Sequence, residues 1–203
     1  MKIGTRSLLY GVHCVIIHPI FVAIAWIKLY GFPRDIRIWV AFIVHDWGYW
    51  SKNDMDGTEG ETHVILGAKI MHYLFDKRNK YYWTLVGGKT IGKRDKKWHD
   101  FCLYHSRFYA KLNNAQYSKL CVADKYAFVV EPKWIYIPRA ILSKEIYEYM
   151  GRDGNSRSSD VHVAAFARYN FNMKAKLLWY NHVKKYMAKW VEEHKEIKKD
   201  NWS

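Results

Sequence analysis

Long apolar segments whose hydrophobic residues recur every three to four positions constrain the fold of this chain most strongly. Residues 19–30, 34–46 and 62–75 have this spacing, and alternation of apolar and polar residues occurs only over short stretches. A period of three to four residues is typical of helices that bury one face, whereas strands alternate at every second residue. The sequence therefore predicts an all-α protein.

Turn-forming residues and polar stretches set the expected boundaries. Pro19 suits the first turn of a helix, and YGFP at 30–33 is typical of a turn. EPKWIYIP, residues 131–138, reads as a connector. The linker-like GRDGNSRSSD, residues 151–160, divides the chain into a helical domain of residues 1–150 and an extension of residues 151–203 packed on it. The predicted helices cover residues 19–30, 34–46, 62–75, 96–110, 118–130, 139–150 and 161–199.

The size and the cysteine pattern indicate the broad class of protein. The chain has 203 residues, half of them apolar, which is enough for one domain with a substantial core. Cys14, Cys102 and Cys121 are far apart and form no CxxC pair. Free thiols of this kind are typical of a reducing compartment, so we expect a cytoplasmic protein.

The apolar residues 8–26 raise the alternative of a membrane segment. They contain no Asp, Glu, Lys or Arg and are long enough to span a bilayer. Lys2 and Arg6 precede them, as in a signal peptide, but no small-residue cleavage site follows. His13, His18 and Pro19 would be costly at bilayer depth. We therefore expect a buried core helix and no membrane span.

The net charge of +14 predicts a phosphate-rich partner, although charge alone does not separate nucleotides from nucleic acid or an anionic membrane. Residues 77–83 and 88–98 are especially basic. They are either a solvated face or a lid that attracts phosphates, with Tyr81, Tyr82 or Trp83 available to stack on bases.

A histidine and an aspartate end the apolar run WVAFIVHDWGYW, residues 39–50. Burying such a pair is costly without a hydrogen-bond network or a metal ion. In chain order, the ionisable groups that project from predicted buried faces are His18, His45, Asp46, His63, His105 and Asp124. A single buried histidine is usually a core residue, but imidazoles and carboxylates that converge in a helical bundle are typical of Mn or Fe centres.

These residues resemble the H…HD…H…H…D pattern of the HD-domain superfamily of metal-dependent phosphohydrolases. AFIVHDWGYW is similar to its helix ending in HD-x-G, THVILGAKIMHYL to a segment of its HD-GYP type, and LCVADKYAF to its last metal-binding helix. The resemblance covers residues 10–130. His105 stands alone in LYHSRF, where the HD-GYP type has a paired histidine and a GYP signature, so we do not expect a cyclic-di-GMP role.

The resemblance implies roles for individual residues. His45 and Asp46 would bind metal, Asp46 would bridge two ions, His63 and His105 would complete the second site, and Asp124 the first. His18 is the preferred first ligand and His13 the alternative. The ions would be two Mn or Fe, with Mg, Co or Ni as other candidates. Lys52, Arg107 and Lys125 would hold phosphate beside the catalytic Asp46.

The predicted function is metal-dependent hydrolysis of a nucleotide or related small phosphoester. A mixed-valent di-iron oxygenase resembles the same ligand set and is the first alternative. A non-catalytic nucleic-acid-binding protein on this scaffold is the second. A homodimer through the C-terminal helix also stays open. The acidic loop after Asp46 is either solvated or orients a ligand through Glu59 or Glu61. His99 and Asp100 follow a charged run and should form a surface pair.

Overall fold

The computed structural model describes residues 1–55, 57–76, 96–153 and 172–196. Every regular element in these ranges is a helix, which confirms the predicted all-α class. Short 3-10 helices cover Trp47–Tyr49 and Gly60–His63. The α-helices are α1 Ile3–Tyr10, α2 Ile17–Tyr30, α3 Ile36–Val44, α4 Val64–Phe75, α5 Lys97–Leu103, α6 Arg107–Leu112, α7 Lys119–Val130, α8 Lys133–Ser143, α9 Glu145–Asp153 and α10 Met173–His194.

The main hydrophobic core lies between α2, α3, α4, α5 and α7. α2 packs along α7 and α4 packs along α5, so that Val22, Phe42, Met71 and Leu120 become almost completely buried. Each side chain of this size contributes roughly 1.5–3 kcal/mol when it is fully buried. This packing fixes the relative positions of the helices that carry the predicted ligands.

A second cluster joins the C-terminal helices to this core. Ile146 and Met150 of α9 pack against Trp179 and Tyr180 of α10. α10 also packs along α7, as expected for an amphipathic helix folded back onto the domain. The linker residues 154–160, the basic residues 77–95 and residues 161–171 of the predicted last helix lie outside the described residues.

The apolar residues 8–26 do not form one helix. α1 ends at Tyr10 and α2 begins at Ile17, so a turn interrupts the segment. Among the described residues, no helix combines the length and the apolar character that crossing a membrane requires.

Two predicted boundaries were wrong. EPKWIYIP is not a connector, because α8 begins at Lys133 and buries Tyr136 and Ile137 on one face, with Pro138 tolerated inside the helix. The predicted helix 139–150 is divided at Lys144, whose φ of 71° is left-handed. Tertiary packing outweighed the proline signal here.

The predicted helix 96–110 is also divided, at residues 104–106. α6 starts anew after Ser106, whose hydroxyl accepts a hydrogen bond from the Tyr109 N–H at 3.4 Å. The resulting turn places His105 between two helices rather than on one helix face.

Candidate metal centre

The structure brings together the six side chains that the sequence predicts as metal ligands. They come from five separate places in the chain, and all are buried except Asp124, whose side chain is 24% exposed. The six are His18 in the first turn of α2, His45 and Asp46 directly after α3, His63 before α4, His105 between α5 and α6, and Asp124 in α7.

These side chains form two groups that share one carboxylate. His18, His45, Asp46 and Asp124 form the first group, and Asp46, His63 and His105 the second; within each, the ligand atoms lie within 4.8 Å of one another.

The two oxygens of Asp46 face different groups. Oδ2 lies 3.2 Å from His18 Nε2, whereas Oδ1 lies 3.5 Å from His105 Nε2 and 3.6 Å from His63 Nε2. A carboxylate whose two oxygens face neighbouring sites in this way can bridge two cations.

The histidine tautomers suit metal binding. Nδ1 of His45 lies 3.0 Å from the Phe42 carbonyl, Nδ1 of His63 lies 2.7 Å from that of Gly60, and Nδ1 of His105 lies 2.5 Å from that of Cys102. Because a carbonyl only accepts hydrogen bonds, each Nδ1 must carry the proton, and each Nε2 then presents a lone pair. Backbone partners of this kind orient ligand imidazoles in metalloproteins.

Several buried atoms at the centre have no hydrogen bond of good geometry. Within the described residues, His18 Nε2, His45 Nε2 and Asp46 Oδ2 are in this state. Nε2 of His63 and Nε2 of His105 approach to 3.1 Å, where two lone pairs would repel each other. Orphaned polar atoms are costly in a protein interior, and a cation among them removes that cost. The donor set of imidazoles and carboxylates therefore fits a divalent metal ion.

The pKa shifts indicate that the carboxylates of the site are ionised and stabilise a positive charge beside them. Burial raises the pKa of Asp46 and Asp124, but the neighbouring histidines outweigh it and hold both values well below the usual range. Burial lowers the pKa of His18, yet Asp124 and Asp46 beside it raise the value to about 10. Burial and the neighbouring His105 lower the pKa of His63 to about 3.

Two glycines allow the ligand-bearing segments to approach closely. A Cβ at Gly48 would overlap the carbonyl of His63, and one at Gly67 would lie 2.7 Å from the Val44 carbonyl and 2.9 Å from the His45 Cα. Any larger residue would push His63 away from the HD pair, or α4 away from α3. The glycines of the HD-x-G and H-x-x-x-G patterns therefore serve close packing.

The centre lies at one side of a cavity of about 500 Å³. Arg107 and Lys125 line this cavity, and both lie over the Trp190 ring, with Arg107 Cζ 4.8 Å and Lys125 Nζ 5.7 Å from its centroid. Lys52 is not among the described residues that line it, since its Nζ donates a hydrogen bond to Thr62 Oγ1 at 2.6 Å. The structure thus places two of the three predicted phosphate holders beside the centre.

The two glutamates of the acidic loop after Asp46 make different contacts. Glu59 accepts hydrogen bonds from the backbone and side chain of Asn53, within the loop itself. Glu61 lines the cavity and accepts a hydrogen bond from Ser106 Oγ at 3.0 Å, next to His105 in the chain. Of the two acids, Glu61 is therefore the one placed to support the centre.

The second HD dipeptide lies elsewhere. His99 and Asp100 are partly exposed and hydrogen-bond to each other at 2.8 Å. The His99 backbone N–H donates to Asp76, which also interacts with His72 at 2.9 Å. None of these four belongs to either ligand group or to the described lining of the cavity.

A buried hydrogen-bond network next to His18 has no signal in the sequence. Nδ1 of His13 lies 2.9 Å from Ser7 Oγ and 3.1 Å from Glu145 Oε1, so His13 is engaged outside both ligand groups. Glu145 also accepts a hydrogen bond from the Val12 N–H at 2.9 Å. This geometry favours His18 over His13 as the first ligand. A lone glutamate 132 positions from its histidine partner is invisible to local patterns.

Comparisons with protein-family models, curated proteins and solved structures found no match to this chain. Over the residues it describes, the structure by itself defines a helical protein with a buried His/Asp cluster that can hold metal.

Metal binding is expected to release a proton and to strengthen as pH rises. The raised pKa of His18 keeps this imidazole protonated near neutral pH, and an ion must displace that proton. Asp46 and Asp124 are already ionised in this range because their pKa values are lowered. Between about pH 7 and 9, the apparent Kd for Mn²⁺ should fall by roughly tenfold per pH unit.

Calorimetry in two buffers of different ionisation enthalpy measures both the affinity and the number of protons released. Affinity that does not change with pH, without proton release, would contradict the placement of His18 in the ligand set.

Proposed function

We propose that this protein is a metal-dependent phosphohydrolase acting on a nucleotide or a related small phosphoester. The observation that carries the proposal is the pair of facing ligand groups that share Asp46, set beside a cavity with cationic side chains. The resemblance of the sequence to the HD-domain superfamily supports the same reaction, because its ligand order is the order found along this chain.

Two divalent ions, Mn or Fe, would supply Lewis acidity and lower the pKa of a water molecule. The protein's own residues would hold the ions and bind the substrate. Asp46 would keep the two ions at a fixed separation. Arg107 and Lys125 would bind the phosphate oxygens and oppose the charge that develops on them. The cavity walls would hold the remainder of the substrate.

The mixed-valent di-iron oxygenase and the nucleic-acid-binding protein remain the alternative proposals. An oxygenase would need iron in two oxidation states and would consume O₂. A binding protein would show strongly salt-dependent affinity for DNA or RNA and no turnover. The cationic side chains of Arg107 and Lys125 in the lining and the cavity volume of about 500 Å³ favour a small anionic substrate over a strand.

Phosphate release tests the proposal. The full chain, loaded with Mn²⁺ or Fe²⁺ without oxygen, is expected to hydrolyse members of a panel of nucleotides and sugar phosphates. Arg107→Met should lower kcat/KM by about 100-fold, because a cation facing the transferred phosphoryl group is lost. Lys133→Met, which changes an exposed lysine outside the cavity lining, should leave it unchanged.

Three results would count against the proposal or against one of its residues. Metal-loaded protein that releases no phosphate from any member of the panel would exclude it for these substrates. O₂ consumption without phosphate release would favour the oxygenase. Equal kcat/KM values for the Arg107 and Lys133 variants would show that Arg107 does not bind the substrate phosphate.

A further inference from the structure

One face of α10 forms the wall of the cavity. Its side chains recur at intervals of three or four residues, so they share one helix face, and they extend over about 16 Å of helix axis at 1.5 Å per residue. These side chains are Trp179, Val183, Tyr186, Met187 and Trp190. Neither the ligand pattern nor the predicted metal chemistry accounts for this wall.

The Trp190 end of the wall is suited to an anion. The indole Nε1 of Trp190 is buried and, among the described residues, has no hydrogen-bond partner. Arg107 and Lys125 lie over the same ring, so an N–H donor without an acceptor and two cations are grouped around one side chain of the cavity lining. A phosphate oxygen would supply the missing acceptor and would remove the cost of the unpaired donor.

The next turn of α10 offers a flat apolar surface. Tyr186 and Met187 lie about one turn before Trp190, at about 6 and 4.5 Å along the helix axis. Tyr186 is 38% exposed although it lines the cavity, and within the described part of the chain neither residue belongs to a hydrophobic core cluster. An aromatic ring and a thioether are good surfaces for stacking a planar ligand.

The rest of the lining favours a ring with polar edges over an acyl chain. Two acidic residues, Glu61 and Glu131, and two tyrosines, Tyr136 and Tyr149, line the same cavity. Carboxylates retain acceptor sites beyond the bonds they already make, and a nucleobase has N–H donors to fill them. An alkyl chain would offer these groups no polar contact beyond those they already make.

We propose that α10 is the substrate-recognition helix and that the substrate is a nucleoside phosphate. Its phosphate lies between the metal centre and the Trp190 end, and its base stacks on Tyr186 and Met187. A cavity of about 500 Å³ is within the range that holds ligands of this size. The placement of the phosphate rests on the proposed function. The placement of the base at Tyr186 and Met187 (the base end) depends only on the residues of α10 that line the cavity.

Binding of nucleosides tests the base end without any hydrolysis. The probes are adenosine, guanosine, cytidine and uridine, their 5′-monophosphates, and ribose 5-phosphate, each titrated into the full metal-loaded chain by calorimetry. At least one nucleoside should bind, and its monophosphate should bind at least tenfold more tightly than ribose 5-phosphate. Tyr186→Ala should weaken nucleoside binding by about tenfold, the usual loss when a stacking partner of a base is removed.

Matched variants separate the two ends of the wall. Tyr73→Ala removes an exposed tyrosine that does not line the cavity and should change nothing. Trp190→Phe keeps an aromatic ring but removes the N–H. It should therefore weaken the binding of nucleoside monophosphates about tenfold and leave the affinity for nucleosides unchanged. A Trp190→Phe variant that weakens nucleosides and monophosphates equally would overturn the anion subsite.

The outcomes distinguish this inference from the proposed function. The base subsite would be overturned if ribose 5-phosphate bound as tightly as every nucleotide and Tyr186→Ala did not change nucleoside binding. Phosphate hydrolysis could still be measured in that case, so the proposed function would not be contradicted. Nucleosides that bind through Tyr186 in a protein without phosphatase activity would support the recognition helix and contradict only the hydrolase.

Discussion

Replacement of Asp46 by alanine is expected to abolish both metal retention and turnover. Asp46 is the residue common to both ligand groups, and its two oxygens face different groups. Removing it deletes a ligand from each site at once and leaves His18 and His105 without the carboxylate between them. Loss of a shared ligand should lower activity by more than the 10- to 100-fold typical of residues that only support a ligand.

Elemental analysis and phosphate release on the purified variant measure this effect. Asp46→Asn, which keeps the shape of the side chain, guards against a simple failure to fold and should also lose metal. His99→Ala is the matched control, since it alters the other HD dipeptide and should keep metal and activity. An essential His99 with a dispensable Asp46 would show that the centre is elsewhere.

The largest expected effect on stability comes from Arg139. Its guanidinium forms a buried ion pair with Glu131 and donates a hydrogen bond to the Gly11 carbonyl at 2.7 Å. It thereby connects α7 and α8 to the turn that precedes α2. Arg139→Met would leave the Glu131 carboxylate buried without its cation, which typically costs about 3–5 kcal/mol of unfolding free energy.

The loss should depend on pH. Burial already raises the pKa of Glu131, and Arg139 only partly opposes this, so the variant's Glu131 pKa should lie higher still. At a pH below the pKa of Glu131 in the unfolded chain, this carboxyl is protonated in both states and the destabilisation is small. The destabilisation grows as pH rises, because Glu131 ionises freely in the unfolded chain but not in the folded variant.

Urea unfolding at acidic and at mildly basic pH measures the effect, with Arg37→Met as the control. Arg37 pairs with Asp35 at the surface, where its loss should change stability little. Equal destabilisation by the two variants would contradict a structural role for the buried pair.

The sequence predicted the elements that depend on local patterns. Helical periodicity placed α4 and α7 close to their observed limits, and the HD pair was recognisable because His45 and Asp46 follow an apolar run. The order of the six candidate ligands was also visible, since each is a rare polar group on a face that is otherwise apolar.

Interactions between distant parts of the chain were not predictable in this way. The partner of His13 is Glu145, and Glu131 at the end of α7 pairs with Arg139 of α8, although the sequence predicts a connector between them. The α10 wall was also missed, because Trp179 and Tyr186 have the same periodicity whether a helix packs on a core or borders a cavity. Only the folded arrangement separates these cases.

The metal content of the purified protein is the direct measure of whether these six side chains form a two-ion centre. The full chain, purified without chelators and without oxygen, is analysed for transition metals per polypeptide. Two Mn or Fe per chain, lost in Asp46→Ala and kept in His99→Ala, is the predicted result. Protein that contains no metal and takes up none on reconstitution would leave the six side chains as a buried polar cluster and would contradict the account.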